Sequence, residues 1–306
     1  MKVLIVGLGS IGRRHMGILQ SFGNIDLAAL RSGSKQQNSS ESCLELFSVS
    51  EALKFAPDGV IVCNPTSLHI NAALPFLKEG IKVFIEKPIS DSSENLNILK
   101  PYRHLIKVAY CLRFLDTYEF LKREFEVNPP FKISFKRSFY LPHWHPNSDY
   151  RQEYVARKDL GGGVLRTFSH EIDLAVYWFG IPNSVIGVTD KIGFLDIDTD
   201  DFAFFTLKME SGVRLNYELD LYSPLNINQG EAFTIKGKYT WDTNKVSFAT
   251  YEGQDVKVLY ESSEDSLNKM YEKQLKDFLN FINNEESRAC SLDQAAKSIE
   301  IIESIG

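Results

Sequence analysis

The N-terminus places an apolar run directly before a glycine-rich turn, and no other stretch limits the fold as much. Residues 3–6 read Val-Leu-Ile-Val, which predicts a buried parallel strand. A GxGxxG pattern follows and leads into a helix-compatible segment. The glycines permit a tight turn, a close approach of the backbone to a pyrophosphate, and close packing of helix on strand. We predict a dinucleotide site at the helix N-terminus. Its residues are Gly7, Gly9, Ser10, Ile11 and Gly12.

The composition is that of a globular protein long enough for two domains. The chain has 306 residues and a formal net charge of −6 without a basic block, so we do not expect nucleic acid as a partner. We expect no membrane-spanning helix, because no sufficiently long apolar run exists, and no signal peptide, because glycines interrupt the first apolar run. The four cysteines have no CxxC spacing, which predicts reduced, mostly buried thiols in a cytoplasmic protein.

The end of the second predicted strand, residues 27–30, indicates which cofactor the site takes. An NAD-binding protein usually carries Asp or Glu there for the ribose hydroxyls. This chain has Arg31 and Ser32, with Lys35 close behind. A guanidinium and a hydroxyl suit a 2′-phosphate, and no carboxylate stands next to them to repel it. We predict NADP, bound through Arg31 and Ser32. In the alternative, Arg31 is a solvated loop residue and the site also accepts NAD.

Residues 82–88 run from a strand-like stretch into an acid, a base and a proline. Residues 83–85 suit a buried parallel strand, and Pro88 ends it because proline cannot donate to a sheet ladder. Glu86 and Lys87 would then lie at a strand's carboxyl end, where open α/β sheets bind their ligands. A lysine there can hydrogen-bond a substrate oxygen and stabilise a developing alkoxide. The alternative is a surface ion pair in a turn.

Strand and helix alternate through the first third of the chain. Residues 60–63 predict a buried strand ending at Asn64-Pro65-Thr66, a helix follows over 67–78, and residues 107–111 predict the last strand. This alternation is typical of a doubly wound parallel sheet, which we assign to residues 1–116.

After residue 128 the predicted strands follow one another largely without helices between them. We predict a helix over 116–125 and a return to helix over 267–305. The order predicts a domain of residues 117–306 with a large antiparallel sheet, one face of which is available for oligomerisation. The predicted strands are 132–140, 185–189, 201–209, 213–221, 232–236 and 256–260.

A triglycine at residues 161–163 precedes the most informative polar pattern of this second domain. The segment after it has apolar residues at helical spacing, and four polar residues fall on the opposite face. Such a face suits a substrate cleft. The alternative is a solvated face on which His170 merely pairs with Asp173. The four residues are Arg166, His170, Asp173 and Tyr177.

Three motifs together resemble one known family. The GxGxxG pattern, Asn64-Pro65-Thr66 with His69, and Glu86-Lys87-Pro88 resemble the Gfo/Idh/MocA oxidoreductases, over essentially the whole chain. The resemblance implies an α/β chain: an N-terminal Rossmann domain with a doubly wound parallel sheet, then a C-terminal α+β domain with a large, mostly antiparallel open sheet. It implies that Lys87 contacts both the nicotinamide ribose and the substrate, with a cis Lys87–Pro88 bond. The cofactor site would further include Cys63, Asn64, Pro65, Thr66, His69 and Glu86.

The family also implies a role for the segment after the triglycine. Its members carry a GGG…D…H…D pattern whose histidine works near the substrate carbon that exchanges hydride. His170 and Asp173 match the last two positions, whereas Thr167 stands where many relatives have an acid. This departure fits a substrate with a negative group, which Arg166 would hold.

Residues 143–146 and 149–151 resemble a subgroup associated with bacterial surface-sugar gene clusters. Trp144 would stack on a sugar face, and Arg151 would bind a carboxylate or phosphate. The two histidines of His143-Trp144-His145 have no evident third ligand, so we predict no metal site. The predicted substrate-binding residues are Arg113, Trp144, Tyr150, Arg151, Arg166, Thr167 and Asp173.

These motifs lead to one functional hypothesis and two alternatives. The hypothesis is an NADP-dependent oxidoreductase of a sugar or nucleotide-sugar hydroxyl or ketone, assembled as a homodimer or homotetramer through the C-terminal sheet. Lys87 would polarise the reacting oxygen and His170 would exchange its proton, with Glu86 steadying Lys87 and Asp173 setting the tautomer of His170. The alternatives are a non-catalytic NADP-binding regulator and a reductase of a non-sugar carbonyl, imine or dihydrodiol.

Overall fold

A computed structural model describes residues 1–33, 43–253, 255–262 and 266–305. The chain divides into two compact units. Unit 1 comprises Met1–Tyr110 and Tyr271–Ala296, and unit 2 comprises Cys111–Met270 and Lys297–Gly306. From the sequence we predict a domain boundary after residue 116, with residues 117–306 in the second domain. In the structure a late segment instead returns to unit 1.

A doubly wound, largely parallel sheet forms the centre of unit 1. Its order is β6-β5-β4-β1-β2-β3, and the short strand Cys290–Ser291 adds antiparallel to β6. The chain therefore proceeds outward from β1 in both directions, as the alternating pattern predicted. The strands are β1 (Lys2–Val6), β2 (Asp26–Leu30), β3 (Leu44–Leu46), β4 (Gly59–Val62), β5 (Lys82–Ile85) and β6 (Ile106–Val108).

The central strands of this sheet are apolar after their first residue, and both of their faces are covered. Val3, Leu4 and Ile5 are completely buried, as are the residues of β4 from Val60 to Val62. A 3₁₀-helical segment, Glu94–Leu105, precedes β6. The helices of this part are α1 (Ser10–Phe22), α2 (Val49–Lys54) and α3 (His69–Lys78).

Lys82 of β5 binds the C-terminal segment that returns to unit 1. The segment predicted as helix over 267–305 forms two helices, α7 (Ser266–Ile282) and α8 (Leu292–Ile305), separated by the Cys290–Ser291 strand. The Lys82 ammonium donates to the carbonyls of Phe281 and Ile282 at the end of α7. Phe278 stacks on Phe84 of β5, with ring centroids 4.9 Å apart. Residues 271–296 therefore pack in unit 1.

Unit 2 contains an eight-stranded sheet in the order β14-β13-β12-β11-β7-β10-β9-β8. All neighbours are antiparallel except β7 and β10, so the predicted antiparallel architecture is confirmed with one parallel pair. Two strands, β12 and β13, were not predicted, because their apolar and polar residues alternate over only a few positions. The strands are β7 (Pro130–Tyr140), β8 (Pro182–Asp190), β9 (Phe202–Met209), β10 (Arg214–Asp220), β11 (Tyr222–Thr234), β12 (Gly237–Trp241), β13 (Lys245–Thr250) and β14 (Val256–Glu261).

Helices pack on one face of this sheet, through an aromatic core. Tyr217 of β10 stacks between Phe135 and Phe205, at centroid distances of 5.2 and 4.4 Å, and its hydroxyl donates to the carbonyl of Glu171. The helices of unit 2 are α4 (Asp116–Val127), α5 (Val164–Thr167) and α6 (Ser169–Phe179), in addition to the start of α7 and the part of α8 from Lys297 onward. No helix among the described residues is long and apolar enough to cross a membrane.

Candidate active site

The glycine-rich turn leaves open space in front of the first turn of α1. A Cβ on Gly12 would collide with the Gly7 carbonyl, and one on Gly7 would lie 3.0 Å from the Asn64 nitrogen, so both positions require glycine for packing. Gly7 also has a φ of +92°. A Cβ on Gly9, in contrast, would meet nothing within 4 Å. No side chain caps α1, so its first N–H groups point into this space. Ser10 and Ile11 form the start of that turn, and the arrangement fits the pyrophosphate of a dinucleotide.

The turn after β4 is joined to the peptide after β5 by a buried histidine. His69 is 1% exposed, and its two ring nitrogens lie 2.8 Å from the Asn64 carbonyl oxygen and 2.9 Å from that of Pro88. Burial lowers the pKa of His69, while the two carbonyls act in the opposite direction. Burial also raises the pKa of the Cys63 thiol, and the charge of Glu86 adds to this effect, so Cys63 is a packing residue rather than a nucleophile. Pro65 and the buried Thr66 complete the turn.

Glu86 and Lys87 lie directly after β5, at its carboxyl end. The Glu86 nitrogen donates to the Val62 carbonyl at 2.9 Å, which fixes the backbone beside β4. Lys87 is half-buried, and the Lys87–Pro88 bond is cis, as the resemblance implied. The Glu86 carboxylate accepts a hydrogen bond from His15 at 2.7 Å and one from the Lys87 backbone N–H at 3.2 Å.

His15 is not among the site residues that the sequence predicts. It lies on the buried side of α1, three residues beyond Gly12, and is 0% exposed. A histidine on the apolar side of a helix needs a hydrogen-bond partner when it is buried. Because His15 falls on the apolar side of the helix after the glycine motif, this requirement could have identified it as a site residue.

The predicted NADP-selecting arginine is paired with a carboxylate. Arg31 follows β2 and donates to Glu45 of β3 at 2.6 Å. The two side chains are 24% and 12% exposed. The sequence indicated no acid here because Glu45 reaches Arg31 only through the pairing of β2 with β3. Ser32 is exposed beside it, and Lys35 lies outside the described residues.

In unit 2, close packing requires glycine at the second and third positions of the triglycine. A Cβ on Gly162 would collide with the Tyr154 carbonyl, and one on Gly163 would collide with the Asp200 carboxylate. That carboxylate accepts the Val164 N–H at 3.0 Å and so holds the start of α5. The single helix predicted after the triglycine is broken at Phe168 into α5 and α6.

The acid of the predicted polar face lies in the interior of unit 2. Asp173 is 0% exposed, and each of its carboxylate oxygens accepts from Arg113 at 2.7 Å. The Tyr177 ring lies 4.5 Å from the guanidinium carbon. The alternative of a solvated face is therefore wrong for Asp173. In the structure Arg113 and Asp173 form a buried ion pair. The predicted contact of these two residues with substrate stays a prediction.

His170 and the two residues before the helix break have different surroundings. His170 is half-buried, and its Nε2 lies 3.8 Å from the Cys111 sulfur. The Thr167 hydroxyl donates to the Gly163 carbonyl at 2.7 Å, one turn back in its own helix. Arg166 is half-buried as well.

An exposed tryptophan is supported by aromatic side chains that lead to the start of α6. Trp144 is 39% exposed and packs edge-on against Phe139, with centroids 4.9 Å apart. Phe139 in turn contacts Phe168 at 5.4 Å. His145 stacks on Trp144 and its Nδ1 lies 2.8 Å from Glu153. Within the described ranges, no group of three or more His, Cys, Asp or Glu side chains could hold a metal ion.

The other predicted substrate residues near Trp144 make contacts within the same segment. Arg151 is exposed and binds both carboxylate oxygens of Asp149, at 2.8 and 2.9 Å. The Tyr150 hydroxyl accepts the Asp196 N–H at 3.1 Å.

Comparison with known families identifies the chain. Residues 1–103 match the Gfo/Idh/MocA oxidoreductase family, NAD-binding Rossmann fold. Residues 132–240 match the C-terminal domain of the same family. The chain belongs to the Gfo/Idh/MocA oxidoreductase family. The N-terminal part is thus an NAD-binding Rossmann domain by family, which agrees with the glycine-rich turn.

Named relatives of this family member are dehydrogenases. It is 24% identical over 197 residues to inositol 2-dehydrogenase 2 of Saccharopolyspora erythraea, a match covering 62% of this chain and 54% of that protein. It is 27% identical over 197 residues to glucose-6-phosphate 3-dehydrogenase of Bacillus subtilis, covering 58% and 53%. The matches thus span about half the length of these curated relatives.

A solved structure shows the same fold over the full length. The WlbA dehydrogenase of Bordetella pertussis, in complex with NADH and UDP-GlcNAcA, superposes with a TM-score of 0.83 at 16% identity, covering 100% of this chain and 94% of that one.

Replacing Arg113 by alanine tests what holds α6 in unit 2. The change leaves the Asp173 carboxylate buried without its cation, so we expect the free energy of unfolding of unit 2 to fall by about 3–5 kcal/mol. Denaturant titration followed by tryptophan fluorescence measures this, because the fluorescence reports unit 2. Its tryptophans are Trp144, Trp178 and Trp241.

The matched control is Arg157→Ala. Arg157 also binds both oxygens of an aspartate, Asp159, but the pair is exposed and screened by water. Its removal should leave the unfolding midpoint unchanged. Equal midpoints for the two variants would show that the Arg113–Asp173 pair does not hold unit 2 together.

Proposed function

We propose that the chain is an NADP-dependent oxidoreductase that transfers hydride between nicotinamide and a hydroxyl or keto carbon of a sugar or nucleotide sugar. One observation carries the proposal: contacts connect the glycine-rich turn to Lys87. Gly7 packs against Asn64, and His69 joins Asn64 to Pro88. The dinucleotide site and the lysine therefore belong to a single rigid edge of the unit 1 sheet, at the carboxyl ends of its strands.

Two side chains are assigned the chemistry at the substrate oxygen. The nicotinamide supplies the acceptor or donor of hydride. In the oxidation direction, a C–H electron pair leaves the substrate carbon as hydride, and the O–H proton must be removed as the carbonyl forms. Lys87 donates a hydrogen bond to this oxygen and stabilises its negative charge, and His170 takes the proton. Thr167, at the position of the family acid, cannot accept a proton as a carboxylate would. Its hydroxyl is not basic at neutral pH, and it donates a hydrogen bond to the Gly163 carbonyl.

The substrate class rests on unit 2 and on the relatives. The names of the relatives refer to inositol and glucose 6-phosphate, and the solved dehydrogenase contains a nucleotide sugar. Trp144 presents an exposed ring on an aromatic support, which suits the apolar face of a sugar. Arg151 and Arg166 are the cations we assign to a phosphate or carboxylate of the substrate, and Tyr150 lies beside Arg151.

Lys87→Met tests the role of the lysine. Methionine keeps the length of the side chain but cannot donate a hydrogen bond or carry charge. We expect kcat to fall by a factor of about 10² to 10⁴, the usual effect of a positioned acid or base, with little change in cofactor affinity. Steady-state kinetics and titration of reduced-cofactor fluorescence measure the two quantities.

Lys100→Met serves as the control, because Lys100 is an exposed lysine of the same unit. Its kcat should equal that of the wild type. A Lys87→Met enzyme with wild-type turnover would remove Lys87 from the mechanism.

The alternative function is a non-catalytic NADP-binding regulator, favoured by Thr167 at the position of the family acid. A regulator would bind reduced cofactor but would exchange no hydride with any sugar or nucleotide sugar tested. Isotope exchange into the cofactor from deuterated substrates distinguishes the two, because it detects even slow turnover.

Arg31→Gln tests the preference for NADP. The guanidinium can form charge-assisted hydrogen bonds with a 2′-phosphate that glutamine cannot match, so we expect about tenfold weaker NADPH binding and unchanged NADH binding. Glu45→Gln should act in the opposite direction, because it removes the carboxylate that competes for Arg31. Fluorescence titrations with both cofactors provide the dissociation constants. Tighter binding of NADH than of NADPH by the wild-type protein would contradict the preference.

We also propose that copies of the chain associate through the open face, the face of the unit 2 sheet that carries Val188, Phe204, Glu218 and Lys136. These side chains form one row across four strands. Val188 and Phe204 are each 50% exposed, and Lys136 pairs with Glu218 at 2.6 Å. An open cavity of about 620 Å³ lies on this face. Exposed apolar residues grouped on one face are typical of an interface between protein chains.

Phe204→Glu tests this interface. Because it places a carboxylate at the apolar end of the row, we expect the assembly to dissociate toward monomers, as measured by light scattering during size-exclusion chromatography. The matched control is Phe194→Glu, an aromatic residue 78% exposed in the loop after β8, which should leave the assembly intact. A monomeric wild-type protein would end the proposal.

A further inference from the structure

A buried histidine outside the predicted site contacts the acid next to Lys87. His15 of α1 is 0% exposed, and its Nε2 lies 2.7 Å from Glu86 Oε1. The other carboxylate oxygen of Glu86 accepts the backbone N–H of Lys87 at 3.2 Å. The carboxylate thus links the interior of α1 to the backbone from which the Lys87 side chain extends.

The geometry determines which ring nitrogen of His15 carries the proton. A carboxylate only accepts hydrogen bonds, so Nε2 must donate to it. Nδ1 is buried and has no hydrogen-bond partner among the described residues. Burying an imidazole nitrogen without a partner is unfavourable, and an apolar side chain of similar size would avoid that cost. The contact with Glu86 is what a histidine provides at this position and an apolar residue cannot.

The surroundings of His15 leave its ring little freedom to move. The Tyr271 ring stands edge-on to it, at a centroid distance of 6.1 Å and an angle of 72°. The Arg14 guanidinium lies 4.8 Å from the centroid of the same tyrosine ring. The Nε2–H is therefore held in one direction, toward Glu86, and a fixed donor restricts the carboxylate that accepts from it.

We propose that His15 is a positioning residue that acts through Glu86 on Lys87. It holds the Glu86 carboxylate in the orientation in which that group accepts the Lys87 backbone N–H, and so fixes the backbone that carries the lysine side chain. His15 touches neither substrate nor cofactor in this role. The inference rests on the proposed function, because it assigns a task to His15 in the reaction of Lys87.

The central experiment is a double-mutant cycle of His15→Leu and Glu86→Ala. If His15 acts through Glu86, His15→Leu should lower kcat by about tenfold to a hundredfold in the wild-type background, as expected for loss of a hydrogen bond to a charged group. In the Glu86→Ala background it should have no further effect on kcat. Cofactor affinity and KM should stay near wild-type values in His15→Leu. An equal loss of kcat in both backgrounds would overturn the proposal.

Two further variants separate positioning from stability. His15→Gln retains an N–H donor near the position of Nε2 and should recover most of the lost kcat. Leu19→Ala truncates another fully buried residue of α1 and should lower the unfolding temperature without lowering kcat. A glutamine variant as slow as the leucine variant, with both as unstable as Leu19→Ala, would assign His15 a structural role only.

A spectroscopic measurement tests the contact without substrate or turnover. In ¹⁵N-histidine spectra of the cofactor-free protein, the signal missing from His15→Leu should show the Nε2–H tautomer. Glu86→Ala should lose this preference. The Nδ1–H tautomer in the wild-type protein would overturn the inference even if the enzyme is active. Failure of the wild-type protein to turn over any substrate would instead refute the proposed function and leave this result interpretable.

Discussion

The two contacts of His69 hold together the part of unit 1 on which the proposed chemistry depends. Its ring nitrogens reach the carbonyl of Asn64, after β4, and that of Pro88, after β5. A neutral imidazole can donate to only one of two carbonyls, and burial disfavours the charged form that could donate to both. Desolvation and hydrogen bonding therefore act in opposite directions on the pKa of this ring. Since Gly7 packs on Asn64, disturbing this ring would disturb the glycine-rich turn and Lys87 together.

Pairing of carboxylates with basic side chains is the second constraint, and it recurs in both units. Glu86 is paired with His15, Glu45 with Arg31 and Asp173 with Arg113. A buried charge loses its hydration, so each acid would be destabilising without its partner. Because each acid is paired, its carboxylate has a fixed orientation before any ligand binds. Groups held in this way need little rearrangement during reaction, which is the basis of electrostatic preorganisation.

Features encoded by a few adjacent residues could be predicted from the sequence. The apolar run before the GxGxxG turn, and the strand that Pro88 ends, each carry their signal within about ten residues, and the structure contains both. The helix break at Phe168 and the need for glycine at Gly162 could not be predicted. Glycine is needed at position 162 because tertiary packing brings the Tyr154 carbonyl against that segment. Local periodicity predicted one helix where the structure has two, α5 and α6.

The pairs of acidic and basic side chains could not be predicted for a related reason. Their members are separated along the chain by 71 residues for His15 and Glu86, 60 for Arg113 and Asp173, and 14 for Arg31 and Glu45.

The pair of Arg31 and Glu45 shows how such a separation affects the functional prediction. Read locally, Arg31 is an arginine with no acid beside it, which favours a 2′-phosphate. The pairing of β2 with β3 brings in Glu45, so in the proposed function a 2′-phosphate would have to displace that carboxylate before it could bind the guanidinium. Under that proposal, selection between NADP and NAD is a competition between two anions for one arginine, and the competing anion lies on the neighbouring strand.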